Sequence, residues 1–345
     1  MSSNWNSPEN DITPEEIMKS GQRPPPPGTA DPSGQDDTTE PRKVSRRNWL
    51  GITGALAGVA VAGGAWLYAF RRGTDEEVLA AGQTGLSSHP GYPARTNPAF
   101  ASGGRPLTEE AAAARYCNFY EITGGKDVYR YIENFKTDPW TIEVTGAVRN
   151  PKTYDMDAIH NTFTLEERVY RHRCVEAWAM VVPWTGFPLA ELIRAADPLS
   201  DARYVKFVSF FDPQVATRQR LSHFPWPYTE GLTLAEATNP LAFVATGMYG
   251  HPLLKQHGAP IRLVIPWKYG YKSCKSIVRI ELTRERPSTF WNSLQPNEYG
   301  FQSNVNPNIP HPRWSQAEER MLGTDERYPT RLYNGYEEWV AELYS

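Results

Sequence analysis

The chain has 345 residues, which is enough for one large domain or two modest ones. Its 36 Lys and Arg residues nearly balance 39 Asp and Glu residues, and a net charge of −3 argues against a nucleic-acid-binding protein, which usually carries a basic stripe. The three cysteines, Cys117, Cys174 and Cys274, lie far apart and form no CxxC pair, which argues against a zinc ribbon, a thioredoxin-type dithiol and a disulfide framework.

The first 44 residues are expected to be a disordered extension. They contain four consecutive prolines at 24–27, many small and charged residues, and few aliphatic ones. Such a segment buries too little apolar area to offset the entropy lost on ordering. We place this extension on the cytoplasmic side of a membrane because of the segment that follows it.

Residues 45–72 form an apolar segment with charged flanks. Arg46 and Arg47 precede an uncharged run at 49–70, which Arg71 and Arg72 close. This pattern resembles a twin-arginine export signal and predicts a periplasmic protein that the twin-arginine machinery exports. The run is also about long enough to span a bilayer of ~30 Å, so a cleaved signal and a retained membrane anchor both stay open.

Residues 73–106 are interpreted as a linker, and residues 107–345 as one folded domain. Thr108, Glu109 and Glu110 can cap and start a helix over the alanines at 111–114. Leu189, Leu192 and Ile193 fall on one face of a helix predicted at 188–196.

Several segments of the domain read as strands. Apolar and polar residues alternate from Trp140 to Thr145, and β-branched and aromatic residues dominate 204–211, 261–267 and 276–282. From Pro287 onward, Pro, Asn, Trp and Tyr suggest extended polypeptide wrapped over the domain. The predicted class is therefore α+β, a single domain of mixed β-sheets with flanking helices.

Several common catalytic motifs are missing from the sequence. There is no HExxH, GxxxxGK[ST], GxGxxG or GxSxG, so zinc hydrolysis, phosphoryl transfer and nicotinamide binding lose support. The sequence also has no CxxCH and no iron–sulfur cysteine set. We therefore expect neither haem nor an iron–sulfur cluster in this chain, and electrons for any redox reaction would come from another protein.

The strongest local signal is at Cys174. Three basic residues, Arg171, His172 and Arg173, directly precede it, and a short apolar, helix-compatible run follows. Positive neighbours and a helix N-terminus favour the thiolate, which is also a soft metal ligand. From the residues alone, Cys174 is a reactive thiolate or a metal ligand, with a buried structural thiol as the alternative.

The run at 173–189, RCVEAWAMVVPWTGFPL, resembles the catalytic segment of the molybdopterin subunit of periplasmic protein-methionine-sulfoxide reductases, which have the sulfite oxidase fold. Further blocks of the same family follow in the same order: NFYE at 118–121, APIRLVIPWKYG at 259–270, LTRERP at 282–287, EYGF at 298–301 and HPRWSQ at 311–316. The resemblance covers about 108–345 and implies a sulfite-oxidase-type molybdopterin-binding domain.

The resemblance implies a role for particular side chains. Cys174 would be the single protein ligand of molybdenum, with Asn118 and Glu176 near the open face of the metal and one molybdopterin supplying the other sulfur ligands. The residues that would hold the pterin and its phosphate are Cys117, Asn118, Tyr120, Glu121, Ser209, His257, Arg262, Ser273, Cys274 and Lys275. Two of them depart from the family pattern, since Cys117 and His257 stand where the family usually has Asn.

The resemblance also implies an activity and partners. The enzyme would reduce methionine sulfoxide in oxidised exported proteins, with electrons from a membrane haem b subunit that oxidises quinol. Oxidation of sulfite or another small sulfur compound is the alternative reaction. Sulfite oxidases carry an additional dimerisation domain, for which the matched blocks leave no room, so the reductase is favoured. A cofactor-free binding module of the same fold is the alternative from a different class.

Overall fold

The computed structural model describes residues 73–86 and 89–345. The predicted extension at 1–44 and the predicted export segment at 45–72 lie outside this part. Residues 78–345 belong to one structural unit, whereas residues 73–77 are assigned to another. No helix in the described ranges is long and apolar enough to cross a membrane.

The described chain contains twelve strands arranged in two sheets. In chain order they are β1 Thr141–Gly146, β2 Lys152–Asp155, β3 Glu166–Arg173, β4 Trp178–Pro188, β5 Tyr204–Ser209, β6 Thr229–Thr233, β7 Phe243–Met248, β8 His251–Pro252, β9 Arg262–Val264, β10 Ile277–Thr283, β11 Glu318–Met321 and β12 Arg327–Pro329.

The first sheet has the order β2-β1-β10-β5-β6, in which only β1 and β10 run parallel. The second sheet has the order β12-β11-β4-β7-β8, with β3 added to β4 and β9 added to β7. The long strand β4 pairs with β3 along most of its length, with β7 at its far end and with β11 at Trp178 and Ala179. β4 thereby anchors the chain segment that follows Cys174.

Helices are short and flank the sheets. The α-helices are α1 Asp75–Gln83, α2 Glu110–Arg115, α3 Met156–Thr162, α4 Leu189–Ala196, α5 Leu234–Thr238, α6 Phe290–Leu294 and α7 Glu337–Val340. Single 3₁₀ turns occur at Pro98–Phe100, Val128–Arg130, Thr217–Arg220, Lys255–His257, Gly270–Lys272, Leu332–Gly335 and Ala341–Tyr344.

The patterns that depend on side-chain periodicity are confirmed. Ile142 and Val144 are buried in β1, and Leu189, Leu192 and Ile193 form the buried face of α4. The class is α+β with mixed sheets, as the sequence predicts. The predicted strand at 261–267 is shorter than expected, since only Arg262–Val264 pairs with β7.

Two local predictions are wrong. The apolar run after Cys174 is not helical but enters β4, because its Val, Trp, Thr and Phe residues favour a strand that is buried on both faces. Thr108 does not cap α2 either. Its hydroxyl accepts a hydrogen bond from the backbone N–H of Val181 at 3.1 Å, and the N-cap position belongs to Glu109, whose side chain makes no cap bond.

The stretch interpreted as a linker contains regular structure in its described part. Helix α1 occupies Asp75–Gln83, and Thr96 forms a parallel bridge with Glu167 of β3. Phe100 is buried, with its ring 5.6 Å from that of Tyr170. These contacts could not be predicted from the sequence, because the residues before 107 show little apolar periodicity. Each contact depends on one side chain or on backbone pairing.

Candidate functional site

A tight turn at 174–177 joins β3 to β4 and carries Cys174. The backbone N–H of Cys174 donates to the Trp178 carbonyl at 2.9 Å, and the N–H of Ala177 donates to the Cys174 carbonyl at 3.0 Å. Ala177 adopts φ 65°, a left-handed conformation that is uncommon for a residue with a Cβ. The turn brings Glu176 back toward Cys174, so that the Glu176 N–H donates to the sulfur at 3.5 Å.

Buried side chains fix this turn through hydrogen bonds to its backbone carbonyls. Arg173, which is fully buried, donates to the Cys174 carbonyl and, through Nε, to Glu319 at 3.1 Å. The Val175 carbonyl accepts from Trp314 Nε1 at 2.8 Å and from Gln316 Nε2 at 2.7 Å. Because every donor is buried or partly buried, the position of the Cys174 thiol is fixed by the fold rather than by a flexible loop.

The Glu176 carboxylate lies beside the thiol and is saturated with donors. Its Oε2 is 3.8 Å from Cys174 Sγ. Lys126 approaches it at 2.7 Å, Trp178 Nε1 donates at 3.1 Å, and Tyr120 OH donates at 3.2 Å. Burial alone would raise the pKa of Glu176, but the Lys126 ammonium and these hydrogen bonds outweigh it, so the pKa lies below its ordinary value.

The Cys174 thiol itself is not activated by its basic neighbours in the way the sequence suggests. Burial and the Glu176 charge raise its pKa to about 12, although Lys126 and Arg173 act in the opposite direction. Arg173 faces the Cys174 carbonyl instead of the sulfur, and Arg171 donates to the Gly103 carbonyl at 2.6 Å. Burial therefore favours the neutral thiol in the chain alone, whereas a metal ion deprotonates a thiol that coordinates it. The role of Cys174 as a metal ligand stays a prediction.

Asn118 completes the group around the sulfur. Its Nδ2 lies 3.6 Å from Cys174 Sγ and 3.2 Å from Glu176 Oε2. Its Oδ1 accepts from Lys126 Nζ at 2.7 Å, and its backbone carbonyl accepts from Lys275 Nζ at 2.5 Å. The predicted metal ligand Cys174 and the two residues predicted near the open face of the metal, Asn118 and Glu176, thus lie together, and their catalytic roles stay predictions.

Lys126 is a residue of this group that the sequence analysis missed. It is buried, and its ammonium bridges Asn118 and Glu176. A lysine that follows two glycines in a loop usually remains solvated, so nothing in the local sequence indicates burial. Its closeness in sequence to the block at 118–121 was the only available signal.

A second set of predicted residues lies around Lys275, which donates to the Asn118 backbone carbonyl. Ser209, at the end of β5, donates through its hydroxyl to Glu121 at 3.0 Å. Burial raises the pKa of Glu121 to about 7, with opposing contributions from its hydrogen bonds and from Lys275. The Cys117 thiol donates to the Gln256 carbonyl at 3.5 Å, and burial raises its pKa to about 11.

Arg262 is the main cationic group of this region. It is 2% exposed, and its guanidinium donates to the carbonyls of Leu263, His257 and Ser273 at 3.2, 2.8 and 3.4 Å. Within the described ranges no carboxylate pairs with it. The guanidinium also lies 4.9 Å from the centroid of the Trp184 ring. A buried cation without a carboxylate partner is costly, so this donor set suits an anionic ligand that bears a phosphate.

His257 and Lys275, which lie near Arg262, also favour an anionic ligand. His257 is buried, and its Nε2 has no hydrogen-bond partner in the part of the chain that the structure describes. Burial and the charge of Arg262 lower the pKa of Lys275 to about 8. An anion beside these groups would relieve both effects. The donor set therefore fits the phosphate of a molybdopterin, and Asn118 contacts both Lys275 and the Cys174 sulfur.

Ser273 and Cys274, two further residues predicted to hold the pterin, contact the backbone on either side of Val264. The Ser273 hydroxyl accepts from the Ile265 N–H at 3.1 Å, and the Cys274 carbonyl accepts from the Leu263 N–H at 2.8 Å. The Cys274 thiol is buried, and burial raises its pKa well above the ordinary value. All three cysteines, which lie in the described ranges, are free thiols.

The sequence profile of the oxidoreductase molybdopterin binding domain family matches residues 129–291. The chain is 51% identical over 234 residues to the protein-methionine-sulfoxide reductase catalytic subunit MsrP of Burkholderia mallei, covering 66% of this chain and 71% of that protein. Among solved structures, the sulfane dehydrogenase SoxCD of Paracoccus pantotrophus aligns with a TM-score of 0.38 and 14% identity over 48% of this chain and 42% of that chain.

Proposed function

The chain belongs to the family of protein-methionine-sulfoxide reductase catalytic subunits, and from this membership we propose that it reduces methionine sulfoxide residues in exported proteins to methionine. It is an oxidoreductase with a molybdopterin-binding domain. The observation that carries the proposal is the buried Cys174 thiol, held between the Glu176 carboxylate and the Asn118 amide.

The residues around this thiol suit a molybdenum–molybdopterin cofactor. Cys174 would supply the protein's sulfur ligand, whereas Arg262 and Lys275 would meet the phosphate of the pterin. When bound, this cofactor supplies the two-electron oxygen-atom transfer that sulfoxide reduction requires.

The protein contributes position and charge. Lys126, Tyr120 and Trp178 hydrogen-bond the Glu176 carboxylate and so orient its charge beside the thiol. The Asn118 amide lies against both the sulfur and the carboxylate and can orient a polar substrate group that enters there. Sulfoxide reduction also consumes two protons and two electrons, which the environment of the site must deliver.

The electron donor and the location belong to the same proposal. The sequence contains no CxxCH and no iron–sulfur cysteine set, so we assign electron supply to another protein. The family resemblance implies that this protein is a membrane haem b subunit that oxidises quinol. Twin arginines before an apolar run support export to the periplasm by the twin-arginine pathway. The segment at 49–70 would then be cleaved or would tether the enzyme to the membrane.

Two assays on the purified holoenzyme test the proposed reaction. With an artificial reductant, we expect conversion of methionine sulfoxide in an oxidised protein to methionine. With an artificial electron acceptor, we expect little or no oxidation of sulfite. Clear sulfite oxidation without sulfoxide reduction would contradict the proposed function and favour the alternative, oxidation of a small sulfur compound.

Changing Lys126 to Met should lower kcat for sulfoxide reduction by about 10–100-fold, the range seen when a group that orients a metal-site residue is lost. The buried Glu176 carboxylate would lose its only nearby ammonium within the described structure and would take up a proton. Steady-state assays at equal molybdenum content measure the effect. Lys136→Met, at an exposed lysine, is the matched control, and equal kcat in both variants would remove Lys126 from the site.

Changing Arg46 and Arg47 to lysines should trap the folded protein in the cytoplasm. The twin-arginine pathway reads the arginine pair, and lysines keep the charge while removing the guanidinium groups. Immunoblots of periplasmic and cytoplasmic fractions measure the distribution. Export at the wild-type level would refute the twin-arginine interpretation.

A further inference from the structure

A groove of about 650 Å³ opens next to the turn that carries Cys174. Val175, the neighbour of Cys174, lines it together with Gln316 and Tyr269. Phe301 and Ile309 also line it, and Ile309 is 65% exposed. The groove thus adjoins the residue next to Cys174 and includes an exposed aliphatic side chain.

Gln316 offers the groove a buried acceptor. The residue is 1% exposed, and its Nε2 donates to the Val175 carbonyl at 2.7 Å. That bond fixes the amide orientation and leaves Oε1 as the other polar atom. Oε1 has no hydrogen-bond partner among residues 73–86 and 89–345. A buried acceptor without a partner is rare and calls for a ligand donor.

His311 offers a donor in the same groove. It is 6% exposed, and its ring stacks on that of Trp314 with centroids 3.7 Å apart. Its Nδ1 accepts the Arg313 backbone N–H at 3.3 Å, so the neutral ring carries its hydrogen on Nε2. Glu298 Oε2 lies 3.2 Å from Nε2 but out of line for a hydrogen bond, and it already accepts from Arg313 Nη2 at 2.7 Å.

One acceptor and one donor in a groove that also contains the exposed Ile309 side chain match a polypeptide backbone that carries an apolar side chain. We propose that this groove binds the polypeptide segment next to the oxidised methionine in an extended conformation. A backbone N–H of that segment donates to Gln316 Oε1, a backbone carbonyl accepts from His311 Nε2, and a side chain packs on Ile309. The inference rests on the proposed function, since it takes the sulfoxide to be part of a protein.

The size of the groove supports a polypeptide over a free amino acid. A volume of about 650 Å³ lies in the range of pockets that enclose drug-sized ligands, which are larger than a single methionine sulfoxide. Val175 also lines the groove, so a chain lying in it can place one side chain at the Cys174 turn. Specificity for protein-bound sulfoxide over the free amino acid would then arise outside the turn itself.

The test measures binding rather than turnover. A fluorescently labelled, unstructured peptide with one central methionine sulfoxide is titrated with oxidised holoenzyme in the absence of reductant, and anisotropy gives Kd. Ile309→Ser should raise Kd at least about fivefold, because it removes exposed apolar contact area without disturbing the fold. Leu107→Ser is the matched control, at an aliphatic residue that is 52% exposed and does not line the groove, and it should leave Kd unchanged.

Each outcome decides the inference. A selective rise in Kd for Ile309→Ser supports the groove. Equal Kd values for the wild type and Ile309→Ser, or no binding by the wild type, overturn it. Adding an artificial reductant to the bound complex separates the two proposals, because a peptide that binds in the groove but is not converted to methionine contradicts the proposed function and leaves the groove standing.

Discussion

Replacing Cys174 with alanine should remove molybdenum from the purified protein and lower sulfoxide reduction by at least about a thousandfold, or about 4 kcal/mol of transition-state stabilisation. The turn at 174–177 presents this thiol beside Glu176 and Asn118, and no other cysteine contacts either side chain in the described structure. The variant keeps the backbone of the turn, so the loss would come from the sulfur itself. Elemental analysis and a steady-state assay measure the two effects.

Cys274→Ala provides the matched control for this change. Cys274 is also buried, but its hydrogen bond to the chain around Arg262 runs through its backbone carbonyl. We therefore expect Cys274→Ala to retain molybdenum. Stoichiometric molybdenum and full activity in Cys174→Ala would show that the metal is bound elsewhere.

Changing Glu319 to Gln should destabilise the protein by about 3 kcal/mol, which corresponds to a decrease of roughly 6–12 °C in Tm. Glu319 is 2% exposed and pairs with both Arg173 and Arg105. Losing its charge leaves the fully buried Arg173 guanidinium without a carboxylate, and a buried pair that is broken on one side costs far more than a surface pair. Thermal unfolding followed by circular dichroism measures the change.

The control for this change is a surface pair. Arg279 and Glu143 lie 2.7 Å apart with about half of each side chain exposed, so Glu143→Gln should cost at most about 1 kcal/mol. Because Arg173 also donates to the Cys174 carbonyl, Glu319→Gln should loosen the turn and lower molybdenum content as well. Equal Tm values in the two variants would show that Glu319 does not support the turn.

The sequence predicted the elements whose burial alternates. Ile142 and Val144 mark β1, and Leu189, Leu192 and Ile193 mark α4, because a period of two or of 3.6 is visible in a single segment. A short run of apolar residues carries no such period. The segment after Cys174 was therefore interpreted as compatible with a helix, although pairing with β3, β7 and β11 makes it a strand.

The sequence predicted only those residues of the candidate site that lie in the blocks resembling the family. The blocks around Asn118 and Cys174 placed both residues at one site, and the structure brings them within 3.6 Å. Lys126 was not identified from the sequence, because burial of a lysine depends on a carboxylate distant in the chain, here that of Glu176. The orientation of Arg173 toward the Cys174 carbonyl was also not predicted, because it depends on the ion pair with Glu319, which is distant in the sequence.

The most direct test of a molybdenum-dependent reductase is the metal and pterin content of the purified wild-type protein. Inductively coupled plasma mass spectrometry and fluorescence of the oxidised pterin give both values per chain. We predict one molybdenum and one pterin per chain in protein that reduces methionine sulfoxide. Protein that reduces methionine sulfoxide at full rate without molybdenum or pterin would contradict the assignment of Cys174 as the metal ligand. It would also contradict the assignment of Arg262 and Lys275 to the phosphate of the pterin.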